Sequence, residues 1–154
     1  MTVRIHKIVV FVARPRTGGG HEFLQLRRAA HKKLGGTWQT VRGKIEWRET
    51  AVDAALRELR EETGVRPAEF YRLGSVETFF DLPTNSVWHC PAFFALLAAD
   101  ATVTLNEEHD DLRWIDEADV DTHFMWPSEK PLIKEIREEL LAASLCKPYL
   151  RIDL

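Results

Sequence analysis

Only two cysteines, Cys90 and Cys146, occur in this chain of 154 residues. They stand far apart without short metal-ligand spacing, which excludes a cysteine metal site and points to a reducing, cytoplasmic setting. The remaining histidines His6, His21, His31, His89 and His123 show no zinc spacing either and are expected to be structural or exposed. No apolar run approaches the length needed to cross a bilayer, and the N-terminus lacks an apolar signal core with a small-residue cleavage site. Charge of one sign is also missing. With 21 basic and 24 acidic side chains the net charge is −3, which gives no overall field for DNA or a membrane, so an anionic ligand must be captured by local cations and metal. There is no internal repeat, low-complexity tract or interdomain linker. At 45% apolar and 29% charged, the composition fits one globular domain spanning residues 1–154.

What the chain does have is concentrated between Gly43 and Val65. Gly43 is followed after five residues by Glu49, and after seven more by Arg57-Glu58-Leu59-x-Glu61-Glu62-x-Gly64-Val65. From average residue frequencies this spacing would arise by chance on the order of once in ten million chains. Thr50 to Thr63 reads as a helix, with Thr50 as its cap, Asp53 three residues on in a capping-box-like place, and Gly64 as its stop. At 3.6 residues per turn, Val52, Ala55, Leu56 and Leu59 form an apolar stripe, and Glu58, Glu61 and Glu62 project together from a neighbouring face. Ala51, Ala54 and Ala55, on or beside that acidic face, are expected to leave room for ions and phosphates.

Three carboxylates at this spacing repel one another, and they lie near the helix C-terminus, where the macrodipole also disfavours negative charge. A positive partner is therefore required. Hard oxygen ligands suit Mg²⁺, with Mn²⁺ as the alternative, and Mg²⁺ completes its shell with water and substrate phosphate. The competing reading is a solvated helix face with Arg57 and Glu61 as an i, i+4 pair. Gly43 and Glu49 at fixed distances upstream, with Gly64 closing the helix, favour the metal site.

At every defining position the segment resembles the Nudix box of the Nudix hydrolases. The box covers about a seventh of the chain. Outside it, Trp38-Gln39-x-Val41-x-Gly43 resembles the approach strand of bacterial members that cleave dihydroneopterin triphosphate or nucleoside triphosphates. Glu108-His109 followed by Arg113-Trp114 resembles a downstream family element. The resemblance implies an α/β (α+β) fold, with a mixed sheet sandwiched between helices and a strand-loop-helix catalytic element. It also implies hydrolysis of a nucleoside diphosphate linked to another moiety. Carried over by position, Glu58 and Glu62 are the principal metal ligands, and Glu61 shares ligation or polarises a bound water. Glu108 adds a ligand or general base, and the backbone carbonyl of Arg42 ligates as well. Arg57 orients a glutamate, either Glu49 or Glu61. The chain departs from many relatives in carrying Val41-Arg42-Gly43 instead of a Pro-Gly-Gly run and Glu46-Trp47-Arg48 in the box loop, which bears on substrate preference.

Along the rest of the chain, Ile8 to Val12 reads as a strand buried on both faces, with Phe23 to Arg28 as its hairpin partner across Gly18-Gly19-Gly20. Phe70 to Leu82 and Val87 to Leu97 read as two longer strands, with Pro91 marking an edge strand or a bulge. A short strand is expected at Leu112 to Ile115. A last helix is expected from Glu129 to Ala143, capped by Ser128, with Leu132, Ile136 and Leu140 buried.

For the substrate, Trp38, Trp47, Phe79, Phe80, Trp88 and Trp126 offer stacking surfaces, and Trp38 and Trp126 are the choices for the site rim. Gln39 reads a base edge or satisfies a neighbouring strand. Arg27, Arg28, Arg42 and Lys44 are local cations, with Arg27 the favoured phosphate contact. His109, beside Asp110 and Asp111, reads as a surface-loop histidine and not a catalytic one.

The leading reading is a Mg²⁺-dependent pyrophosphohydrolase cutting a nucleoside or pterin triphosphate to monophosphate and pyrophosphate. The alternatives are a dinucleoside polyphosphate or RNA 5′-triphosphate hydrolase and, in another class, a noncatalytic nucleotide-sensing regulator. The partner implied is a small nucleotide or pterin polyphosphate, not a membrane or nucleic acid, and a homodimer is compatible with the residues.

Overall fold

The computed structural model describes residues 1–154. Strands β1 (Thr2–Arg4), β2 (Lys7–Pro15), β3 (His21–Arg28), β4 (Trp38–Gln39) and β5 (Val41–Lys44) precede helix α1 (Ala51–Thr63). Then come β6 (Glu69–Asp81), β7 (Ser86–Leu96), β8 (His109–Asp116), α2 (Val120–His123), α3 (Lys130–Glu135), α4 (Lys147–Leu150) and β9 (Arg151–Ile152). The strands join one nine-stranded sheet. It is mixed: β2 and β1 run parallel to β7, while the β2–β3, β2–β5, β3–β8 and β6–β7 pairs are antiparallel.

β2 shows how sequence becomes layers. Ile8 to Ala13 is continuously apolar and almost wholly inaccessible, as a strand covered on both faces requires. Successive side chains point to opposite faces. Ile8, Val10 and Val12 join the cluster that packs under α1 with Ala54, Ala55 and Leu59. Val9, Phe11 and Ala13 join the opposite cluster with Val120, Leu132, Ile133 and Ile136.

Helix α1 begins where its cap says it should: Thr50 Oγ1 accepts from the Asp53 N–H at 3.1 Å. It ends at Gly64, whose φ of 71° is the left-handed conformation that glycine adopts without strain. One expectation fails here. Ala54 and Ala55 are fully buried in the core under the helix and do not border an ion site; their small side chains serve helix–sheet contact.

Further departures have local causes. β7 is interior, paired with β6 on one side and with β1 and β2 on the other. Pro91 is tolerated because β1 ends its pairing at Trp88 and β2 begins at Ala92, and β6 shifts register between Arg72 and Val76 opposite it. The last helical segment starts earlier than expected, as a 3₁₀ turn over Pro127–Glu129, and leaves α3 through a π-helical stretch, Ile136–Leu141. Ser128 does not cap it. The Trp126 N–H is met by Glu129 Oε2 at 3.2 Å, and Ser128 Oγ donates to Glu77 Oε1 at 2.8 Å. No helix is long and apolar enough to cross a membrane.

Candidate active site

A cleft of about 1040 Å³ opens where β5 leads into α1, near the upper end of small-ligand sites. Glu58, Glu61, Glu62, Arg57, Gly43 and Glu108 line it together, joining the box helix to the loop before β8. Gly43 is required by proximity: a methyl group at this position would overlap Cγ, Cδ and Oε1 of Glu58. Only a residue without Cβ lets β5 and the first acidic side chain of the cleft lie so close.

Arg57 organises the box. Its Nε donates to Glu49 Oε1 at 2.7 Å and its Nη2 to Glu49 Oε2 at 2.9 Å, a two-pronged pair, while Nη1 reaches Glu58 Oε1 at 2.8 Å. Nη2 also donates to the Lys44 carbonyl at 2.8 Å, tying the helix to the end of β5, and Glu61 Oε2 stands 3.4 Å from Nη1. The Arg57 bond, aided by the Glu46 N–H, holds the Glu49 carboxyl down at about 2. Glu49 is thus a fixed anion for Arg57 and does not line the cleft.

Glu62 is in the opposite condition. Burial, then the charges of Glu58 and Glu108, push its carboxyl well above the ordinary range, against weaker help from Arg28 and the Arg42 backbone. Its Oε2 is buried without a partner. Burial likewise raises Glu58, with Arg57 opposing and Glu61 and Glu108 adding to the rise. Three buried side-chain polar atoms lack a partner, on Glu62, His109 and Arg42, and all three residues line this cleft. Buried polar groups are almost always paired, so such a concentration marks a place prepared for something else.

A divalent cation fits that place. The donors are hard carboxylate oxygens, one of them orphaned, and a cation would offset the burial and the neighbouring negative charge that raise Glu58 and Glu62. No three carboxylates yet converge into a closed ligand cage as the side chains lie. Glu58 Oε1 is engaged by Arg57 Nη1.

Other expected site residues divide. Trp126, Gln39, Lys44 and Arg42 line the cleft; Trp38 and Arg27 do not. Arg27, the favoured phosphate contact, pairs with Asp110 at 2.7 Å and Asp111 at 3.7 Å, and Trp38 lies under Arg27 and Arg113. Strand alternation explains the miss: Arg28, not Arg27, shares a face with Leu24 and Leu26 and so reaches the α1 side, 3.9 Å from Glu108. The Arg42 side chain, expected at the substrate, is held by Glu77 at 2.5 and 2.8 Å and by Glu129 at 2.9 Å on the face of β5 away from α1. Burial works to lower its basicity, and the two glutamates more than reverse it. Gln39 is committed locally: it donates to Thr37 Oγ1 and accepts from Trp126 Nε1, both at 2.9 Å. Trp88 is buried against Phe79, and Trp47 stands 89% exposed outside the cleft.

His109 is not the surface-loop residue expected. It is buried, and burial followed by the nearby Arg28 charge lowers its imidazole to about 4. Glu77 and Glu129, missed in the sequence, lie over fifty residues apart with no motif joining them.

Strand order, helix placement and this carboxylate cleft define a phosphoric-anhydride hydrolase of the Nudix type. The NUDIX domain model matches residues 5–136, and the chain belongs to the Nudix hydrolase family, whose members generally use a divalent metal. Nucleoside triphosphatase NudI of an Enterobacter species is 33% identical over 94 residues, covering 56% of this chain and 67% of its own. The CTP pyrophosphohydrolase of Escherichia coli is 28% identical over 115 residues, covering 73% and 80% respectively. The crystal structure of a Nudix hydrolase from Listeria monocytogenes superposes with a TM-score of 0.72 at 24% identity, covering 97% of this chain and 99% of that one.

Proposed function

We propose that this chain is a Mg²⁺-dependent pyrophosphohydrolase that converts a nucleoside or pterin triphosphate into the monophosphate and pyrophosphate. The observation that carries the reading is the buried, unpartnered Oε2 of Glu62, under the charges of Glu58 and Glu108, in a nucleotide-sized cleft. The names of the NudI and CTP pyrophosphohydrolase relatives support the same substrate class.

Glu58 and Glu62 would hold the metal, with Glu61, Glu108 and the Arg42 carbonyl completing the protein's share. When bound, the metal neutralises anhydride oxygens and acidifies a water. Arg57 keeps Glu58 and the end of β5 in fixed relation through bonds to Glu58, Glu49 and the Lys44 carbonyl. Arg28 brings positive charge to the same wall. Water oxygen bonds to phosphorus, the P–O anhydride bond breaks, and pyrophosphate leaves with the electron pair. A cleft carboxylate accepts the water's proton; Glu108, which lines the cleft from the loop before β8, is the proposed acceptor.

The test is product analysis by ³¹P NMR on a panel of nucleoside triphosphates, dihydroneopterin triphosphate, a diadenosine polyphosphate and 5′-triphosphate RNA, each with Mg²⁺. Monophosphate and pyrophosphate from a small triphosphate support the reading. Preferential release of ATP from the diadenosine substrate, pyrophosphate only from RNA, or no turnover overturns it.

A further inference from the structure

Among the cleft's cations, three lysines form no ion pair. Lys7 opens β2, Lys33 lies in the loop between β3 and β4, and Lys44 closes β5; all three line the cleft. Lys134, elsewhere, is the one lysine of the chain in an ion pair. The cleft arginines are compensated: Arg42 by Glu77 and Glu129, Arg57 by Glu49 and Glu58, and Arg28 approaches Glu108.

Lys7 and Lys44 are direct cross-strand partners, so their side chains share a face, the one opposite α1. Lys7 Nζ sits 4.0 Å from the Trp88 ring centre, half-buried, with Phe79 stacked on the same tryptophan. Like charges placed opposite each other in a sheet repel, and a partly buried ammonium loses hydration. Burial lowers the Lys7 ammonium from its ordinary range; Lys33 and Lys44 add to the fall, and Cys90 and Asp81 oppose it. Lys7 and Lys44 therefore carry positive charge outside any ion pair on the face of β5 that also holds the Arg42–Glu77–Glu129 cluster, while Glu58 and Glu62 lie on the other. A polyphosphate answers both, because one part of it can share a metal with the glutamates while the next part needs cations that require no metal.

We propose that Lys7, Lys33 and Lys44 form a metal-independent anion subsite for the two outer phosphates of a nucleoside triphosphate, the portion that departs as pyrophosphate. The subsite rests on the functional reading above and deepens it: it makes the enzyme selective for triphosphates over diphosphates of the same nucleoside.

Two measurements test it. Calorimetric titration with inorganic pyrophosphate in EDTA is expected to show binding to wild type that weakens at least tenfold in the K7M/K33M/K44M triple variant. With Mg²⁺, the ratio of kcat/KM for a triphosphate to that for its diphosphate is expected to fall about tenfold in the triple variant. Lys33→Met alone, in an exposed loop, should shift the ratio in the same direction if the triple variant does not fold. An unchanged ratio, an equal fall for both nucleotides, or unchanged pyrophosphate binding overturns the subsite. Wild type that hydrolyses no triphosphate counts against the functional reading, and pyrophosphate binding without metal then decides the subsite by itself.

Discussion

Replacing Gly43 by alanine adds one methyl group at the junction of β5 and α1. That methyl would occupy the space of Glu58 Cγ, Cδ and Oε1. Restoring ordinary carbon contacts of about 3.5–4.0 Å requires the Glu58 carboxylate to retreat by roughly 1.5 Å. The retreat strains its 2.8 Å bond from Arg57 and moves a proposed metal ligand. Misplacement by about 1 Å can cost about 100-fold in rate, and overpacking typically costs about 1–3 kcal/mol. Stability should suffer near the lower end of that range, because Glu58 borders open cleft. We therefore expect Gly43→Ala to fold, to lose about 100-fold in kcat, and to need more Mg²⁺ for half-maximal rate. Urea unfolding, steady-state kinetics and a Mg²⁺ titration read the three quantities. A variant with wild-type kcat and Mg²⁺ dependence refutes the close approach of Gly43 to a working Glu58.

The other expectations probe charge. The Glu62 carboxyl is raised in the fold, so between its unfolded pKa of about 4.3 and the raised native value the unfolded chain has released a proton that the native chain keeps. Metal-free stability should fall as pH climbs through that window, with Glu58 adding in the same direction; Glu62→Gln should be the more stable protein at neutral pH in EDTA, and denaturation curves with no such fall contradict the assignment. Arg57→Lys keeps a charge but loses the fork on Glu49 and the simultaneous reach to Glu58 and the Lys44 carbonyl; kcat should drop about tenfold or more, and an undiminished kcat would show the fork to be incidental. Arg28→Ala should lower kcat/KM about tenfold while Arg27→Ala stays within about twofold of wild type, a contrast that equal effects would abolish. His109, lowered to about 4, should show no imidazole titration by NMR between about pH 5.5 and 8.

Local signals carried much of this structure. The Thr50 cap, the Gly64 stop and the acidic face of α1 depend on residues three or four apart, so spacing alone revealed them. The β2 strand was equally plain, because a chain buried on both faces must be apolar throughout. What escaped depends on neighbours distant in sequence. Arg27 and Arg28 are adjacent and chemically alike, and only the register of β3 with β8 and the helix covering one face assign them to different sides. Trp38 was misplaced for the same reason, being opposite Arg27 in the β3–β4 pair. The Arg42–Glu77–Glu129 cluster unites three remote segments, and His109 is buried where β8 pairs with the end of β3.

The most direct measurement compares initial rates of pyrophosphate release from a nucleoside triphosphate by wild type and Glu62→Gln, each with Mg²⁺ and with EDTA. Wild type should turn over only with Mg²⁺, and the substitution should remove at least about 99% of that rate, since it takes away a proposed metal ligand. Equal rates for the two proteins, or a wild-type rate indifferent to EDTA, would contradict metal-assisted hydrolysis at this helix.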